Sequence, residues 1–170
     1  RRIVGLPERE IQDYEKVGNY IRSRSKPDDY ILVWGLWSEI YHASHRRPVT
    51  KFAIYNYLTG LQPWANYDQD TRDLIVPGTW KRLMAELNSR HPLYIVEPSG
   101  EEQASRRDRA TKNRPISLYP MLDQVVQGNY QPIHEIGEFK IYRRQSGTWK
   151  AVPYDPARVV DRLHAQPTDG

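Results

Sequence analysis

DDYILVWGLWSEIYHASHRRPVTKFAIYNYL, residues 28–58, is the stretch that decides the fold. Two acids open a turn. Tyr30-Ile31-Leu32-Val33-Trp34 is then apolar without alternation and stops at the single Gly35. A run that is apolar on both faces belongs inside a parallel sheet covered by helices. Beyond Gly35, Ser38 stands where a helix cap is wanted, and Ile40 and Tyr41 face inward from a short helix. The basic corner His45-Arg46-Arg47-Pro48 ends that helix. The aromatic run Phe52 to Leu58 is then expected to be the second strand. Strand, sharp exit, helix, charged loop and strand make one half of a parallel α/β unit.

Outward from this stretch the same alternation continues. On its N-terminal side, Pro7, Glu8 and Glu10 mark a helix start, with Ile11, Tyr14, Val17 and Ile21 at helical spacing. On its C-terminal side, Gly78-Thr79 starts the clearest helix, where Trp80, Leu83, Met84 and Leu87 share one face. Leu93-Tyr94-Ile95-Val96 is a second buried parallel strand. Ile116 to Val126 is expected to be a helix ended by Gly128-Asn129. Tyr130 to Ile136 and Phe139 to Arg143, joined at Gly137-Glu138, make a hairpin. Trp149 to Val152 is expected as an edge strand, and Asp155-Pro156 as the cap of a last helix holding Val159, Val160 and Leu163 inside. Two stretches resist this pattern. Thr59 to Pro77, with Trp64, Tyr67 and Leu74 as anchors, predicts a packed irregular loop, and Glu97 to Arg114 a long polar one. The expected fold class is therefore α/β: a three-layer sandwich with a mixed, mainly parallel central sheet and a C-terminal antiparallel hairpin.

Length and composition bound the function. The chain has 170 residues and shows neither repeat nor linker, which suits one domain over 1–170, with 145–170 as its least defined part. Cysteine is absent, so disulfides and thiolate metal sites are excluded. No apolar run approaches the roughly 20 residues of a membrane helix. The chain opens at Arg1 without Met, as expected of a piece of a longer protein. The net charge is +4, and the arginines come in pairs at Arg1-Arg2, Arg46-Arg47, Arg106-Arg107 and Arg143-Arg144. Such pairs suit phosphates, and equally a solvated surface.

Motifs for common chemistry are missing. Gly35 stands alone, with Leu36 and Trp37 beside it, where a dinucleotide fingerprint needs three glycines. No Walker motif and no G-x-S-x-G elbow occurs. Glu39, His42 and His45 recur every third residue and diverge around a helix, so no metal site is expected there. Arg46 and Arg47 are expected in a loop beyond the carboxyl end of a strand, near Tyr55 or Tyr57, where guanidinium groups meet phosphate. The alternative is structural: an arginine beside Pro48 pairing with Asp28 or Asp29. Tyr55, Tyr57, Trp64 and Tyr67 suit a stacking platform for a sugar or base, and equally a core.

Several of these residues also resemble a family. Asp28-Asp29, Trp34-Gly35, Arg46-Arg47-Pro48 and Tyr55 to Gly60 follow the order seen in the soluble C-terminal region of bacterial membrane glycosyltransferases related to protein O-mannosyltransferases. Trp80 to Val96 and Tyr130 to Arg144 resemble that region's helix-strand element and closing hairpin. The resemblance spans most of residues 8–144 and stops there. It implies an extracytoplasmic accessory domain, periplasmic or extracellular, of a membrane-embedded parent that takes a mannose-like sugar from a polyprenyl-phosphate donor. The parent's catalytic acid lies in an early loop outside this chain, so no catalytic residue and no cofactor is expected here. Its implied partners are the membrane part of the same protein and the lipid-linked sugar or acceptor. Arg46, Arg47, Tyr55 and Tyr57 are the expected substrate contacts. The rival expectation is a free binding module whose basic surface takes phosphate or nucleic acid. Arginine pairs scattered over separate elements count against a groove reader.

Overall fold

The computed structural model describes residues 11–62, 69–99 and 114–160. In chain order its elements are α1 (Asp13–Arg22), β1 (Tyr30–Val33), α2 (Glu39–Ser44), β2 (Arg47–Pro48), α3 (Asn56–Thr59), α4 (Thr79–Arg90), β3 (Tyr94–Pro98), α5 (Pro120–Asn129), β4 (Tyr130–Ile136) and β5 (Phe139–Arg144). Single 3-10 turns lie at Arg72–Leu74, Ile116–Leu118 and Pro156–Arg158. The strands form one sheet in the order β2-β1-β3-β5-β4. β1 is parallel to both β2 and β3, while β5 runs against β3 and β4. Four strands therefore point one way and β5 alone the other.

Alternation along the strands builds the three layers. Ile31, Val33, Tyr94, Val96, Phe139 and Ile141 point to one side, where Val17 and Ile21 of α1 and Ile40 and Tyr41 of α2 cover them. Leu32 and Ile95 point to the other, under Trp80, Leu83, Met84 and Leu87 of α4 and Leu122, Val125 and Val126 of α5. From β1 the chain moves one way to β2 through α2, and later the opposite way to β3 through α4. Crossovers of one hand that progress in opposite directions must lie on opposite faces, and these two do. The point where the directions part is the gap between β1 and β3.

The elements start and stop for local reasons. The backbone N–H of Gln12 donates to the Glu15 carboxylate at the head of α1. Pro120 occupies the first turn of α5, where its missing N–H costs nothing. Since β2 has only two residues, the Val33 N–H lies past its pairing and donates to the Tyr41 hydroxyl at 2.8 Å. Burial holds that phenol neutral far above its usual range.

Four expectations need correction. The second strand is Arg47–Pro48, and Phe52 to Leu58 is a turn entering α3. Phe52, Tyr55, Leu58 and Leu61 are all buried, at every third residue, which a strand's alternation does not allow. Ile116 to Val126 is not one helix but a 3-10 turn followed by α5. Trp149 to Val152 forms no strand and does not pair into the sheet. Asp155 does cap, accepting from the Ala157 N–H, but the capped piece is a single 3-10 turn over Pro156–Arg158. Pro7 to Glu10, Trp64, Tyr67, the loop at 100–113 and Leu163 lie outside the described residues.

Candidate functional site

The helix between two parallel strands returns the chain to the end where the first strand began. Arg46 and Arg47 follow α2, so they lie at the amino end of β1, with Arg47 paired to Tyr30. They are not beyond a carboxyl end, as the sequence led us to expect. Tyr55 lies at the other end, where its N–H donates to the Gly35 carbonyl at 3.2 Å. The four expected contacts are thus divided between opposite ends of the sheet.

Arg46 is buried. Its Nε donates to Ser25 Oγ at 2.7 Å and its Nη2 to the carbonyls of Arg22 and Ser25 at 2.9 and 2.7 Å. Nη1 donates to the His45 carbonyl at 3.0 Å. The guanidinium therefore satisfies carbonyls that the end of α1 leaves open, and it faces the negative pole of that helix. It pins a loop, as the structural alternative held, but through backbone carbonyls instead of Asp28 or Asp29. Arg47 is exposed on the sheet edge.

Tyr55 is 1% exposed and meets the Trp34 ring edge-on at 5.3 Å. Tyr57, two residues on, is 56% exposed. It lines a groove of about 520 Å³ with Lys51, Phe52, Val76, Thr79 and Arg82. The Thr79 hydroxyl donates to the Val76 carbonyl at 2.8 Å and lies 3.3 Å from that of Tyr57, which fixes α3 against the head of α4. Lys51 Nζ stands 5.3 Å from the Phe52 ring centroid, and Arg82 Nε bonds Glu86 at 3.0 Å. Aromatic and aliphatic walls with cations at the rim suit an amphipathic ligand that carries a ring face and a negative group.

Between the carboxyl ends of β1 and β3, where open α/β sheets place ligands, this chain packs itself. The Trp34 indole donates to the Arg114 carbonyl at 2.8 Å. Glu97, at the end of β3, accepts from the Ile116 N–H at 2.7 Å and from the Tyr142 hydroxyl at 3.2 Å. Desolvation raises the Glu97 carboxyl above its ordinary 4.5, against the pull of those two bonds. The carboxylate anchors the segment that follows residue 113. The sequence placed Glu97 at the head of a loop; its one-residue distance from the apolar Val96 is the only hint that it belongs to the strand.

Sheet register also gathers what the sequence scatters. Arg143 lies opposite Tyr94, Arg144 opposite Tyr130, and Arg47 opposite Tyr30, all at the end where the parallel strands begin. His42 and His45 stack at 6.1 Å, but among the described residues no three His, Asp or Glu converge to hold a metal. No described helix is long and apolar enough to cross a membrane.

No protein-family model matches the chain, and no curated protein matches it. Among solved structures, it is similar to the C-terminal globular domain of an oligosaccharyltransferase from Archaeoglobus fulgidus, at 12% identity and a TM-score of 0.40. The match covers 81% of this chain and 99% of that one. That TM-score is too low to establish a common fold.

Proposed function

We propose that this chain is the extracytoplasmic accessory domain of a membrane glycosyltransferase that moves a mannose-like sugar from a polyprenyl-phosphate donor. The observation that carries the proposal is the order of the stretches that resemble that family. Asp28-Asp29, Trp34-Gly35, Arg46-Arg47-Pro48, Tyr55 to Gly60, Trp80 to Val96 and Tyr130 to Arg144 each fall on an element of the sheet layers or on a loop that ties them. The exposed features support it in kind. An aromatic groove and a basic sheet end are means of binding, and the carboxylate at the strand ends, Glu97, serves a loop. In this scheme Tyr57 and Arg47 make contact with the lipid-linked sugar, its acceptor or the membrane part. Arg46 and Tyr55 hold them in place from beneath.

The purified chain is expected to transfer no sugar from a polyprenyl-phosphate donor, because transfer needs a general base and a stabilised leaving phosphate in one site. The coding region upstream of Arg1 is expected to encode several membrane-spanning segments with an acidic residue in an early extracytoplasmic loop. Turnover by the chain alone, or an upstream region without membrane segments, rejects the assignment.

A further inference from the structure

Among the described residues, positive charge gathers at one end of the sheet. Arg47, Tyr30, Leu93, Arg144 and Tyr130 lie in one transverse row, linked by the β1–β2 register, by the Leu93 N–H to the Tyr30 carbonyl and by the Arg144 N–H to the Leu93 carbonyl. Five strands at about 4.8 Å spacing make that row about 19 Å wide. Arg143 and Arg144 leave on opposite faces of β5. Between them and Gln131, Gln145 and Ser146 opens a shallow cleft of about 600 Å³. The loop from α1 to β1 adds Arg24 and Lys26, and the last turn of α4 adds Arg90.

Among the described residues, Arg24, Lys26, Arg47, Arg90, Arg143 and Arg144 thus stand at this end with the carboxylates of Asp28 and Asp29. The Asp29 carboxylate is turned onto the Lys26 N–H at 2.7 Å. Arg90 has Glu86 one turn back at 3.9 Å. Among the described residues, no carboxylate pairs with Arg24, Arg47, Arg143 or Arg144, and the first three of these are exposed. A cation at a helix C-terminus has a structural reason to be there, as Arg90 does. Arg47, Arg143 and Arg144 sit on strands, where no helix pole calls for them. Three of the cations have contacts of their own: Arg143 Nη1 donates to the Tyr94 hydroxyl at 3.0 Å, Arg144 to the His91 carbonyl, and Arg24 lies over the Tyr20 ring at 4.0 Å.

Resting on the accessory-domain assignment for the choice of partner, we propose that this end of the sheet docks on an anionic lipid surface, its arginines meeting phosphate head groups. The shape favours a surface over a polynucleotide. The cations cover a broad end instead of lining a helix or ribbon that enters a groove. The rings beneath them, Tyr20, Tyr30 and Tyr94, already carry Arg24, Arg90 and Arg143 and offer no open platform for bases.

Co-sedimentation with phosphatidylcholine vesicles, with and without phosphatidylglycerol, tests this. Binding is expected only with the anionic lipid and is expected to weaken as salt rises. Reversing Arg24, Arg47 and Arg143 to Glu together should weaken it by at least about a hundredfold, each cation near the surface being worth about fivefold. Reversing Lys16, Lys81 and Arg158, exposed cations elsewhere, should leave it intact. Thermal denaturation checks each variant, and Arg47→Ala with Arg143→Ala serves if the triple reversal does not fold. Equal binding to neutral vesicles, or unchanged binding by either arginine variant, overturns the proposal. Release by soluble pyrophosphate at constant ionic strength would mean a discrete phosphate site and not a surface. Tighter binding to duplex DNA or RNA through the same arginines would make the partner a polynucleotide. Failed vesicle binding leaves the accessory-domain assignment standing, since that assignment answers to turnover and to the upstream coding sequence.

Discussion

Two adjacent arginines with the same chemistry do opposite work, and burial separates them. The Arg46 guanidinium is enclosed by three carbonyls and a hydroxyl, while Arg47 meets solvent. Removing Arg46 leaves acceptors at the end of α1 without donors in a place water reaches poorly. Arg46→Ala is expected to cost about 2–3 kcal/mol, in the range for a lost charged hydrogen-bond partner. Arg46→Lys should recover little, because one ammonium cannot reproduce a planar fork with separate donors on Nε, Nη1 and Nη2. Arg47→Ala should stay within about 0.5 kcal/mol of the parent, as exposed substitutions do. Urea denaturation of the three variants checks this, and equal losses at both positions would contradict it. None of the difference is legible in the sequence, where the pair reads as one basic corner. For Tyr55 and Tyr57 a signal existed: Phe52, Tyr55, Leu58 and Leu61 repeat every third residue and leave Tyr57 outside the pattern.

At the scale of elements, the sequence was informative where a run is long and uninformative where an element is short. β1, β3, α4 and the β4–β5 hairpin lie where they were expected, each end within two residues. A two-residue edge strand such as β2 has no period to detect, and its Pro48 reads as a terminator. The pairing of α1 with α2 was equally hidden, because it depends on a residue with no side chain. A Cβ placed on Gly18 would press into the Cβ of Ala43 and stand 2.8 Å from the Ala43 carbonyl carbon and the Ser44 nitrogen. Two of those three atoms are backbone, so α2 as a whole must move to make room. Gly18→Ala gains helix propensity of about 1 kcal/mol. The clash should outweigh that gain and lower stability by about 1–3 kcal/mol net, the usual cost of overpacking. The fall should be only partly relieved by Ala43→Gly, which removes one of the three contacts. A Gly18→Ala protein as stable as the parent in thermal melts would show that the two helices separate freely.

At the scale of the whole molecule, the three layers and the mixed sheet were legible because two apolar strands with intervening helices admit few other arrangements. The C-terminal limit was not. Residues after Arg144 carry no strong period, so the sequence left 145–170 as the least defined part. The structure ties 149–152 to both helices of one layer. Asn88, in the last turn of α4, donates to the Val152 carbonyl at 2.8 Å and accepts from the Val152 N–H at 3.1 Å and the Trp149 indole at 3.2 Å. Asn129, the last residue of α5, exchanges bonds with the Lys150 backbone at 2.7 and 3.0 Å. Two asparagines thus do for this segment what a neighbouring strand does elsewhere, and it stays off the sheet. Val152 is 2% exposed, and Trp149 stacks on His91 at 4.4 Å. Asn88→Ala removes three bonds and is expected to cost about 2–3 kcal/mol, each being worth about 1 kcal/mol net. Ending the chain at Gln145 removes these and also uncovers the wall that Val152 and Trp149 shield, where a fully buried side chain is worth about 1.5–3 kcal/mol. The truncated chain should therefore lose more than Asn88→Ala, and should bind a hydrophobic dye that the parent excludes. A truncated chain with the parent's urea midpoint and no dye binding would mean that 146–160 only rests on a core complete without it.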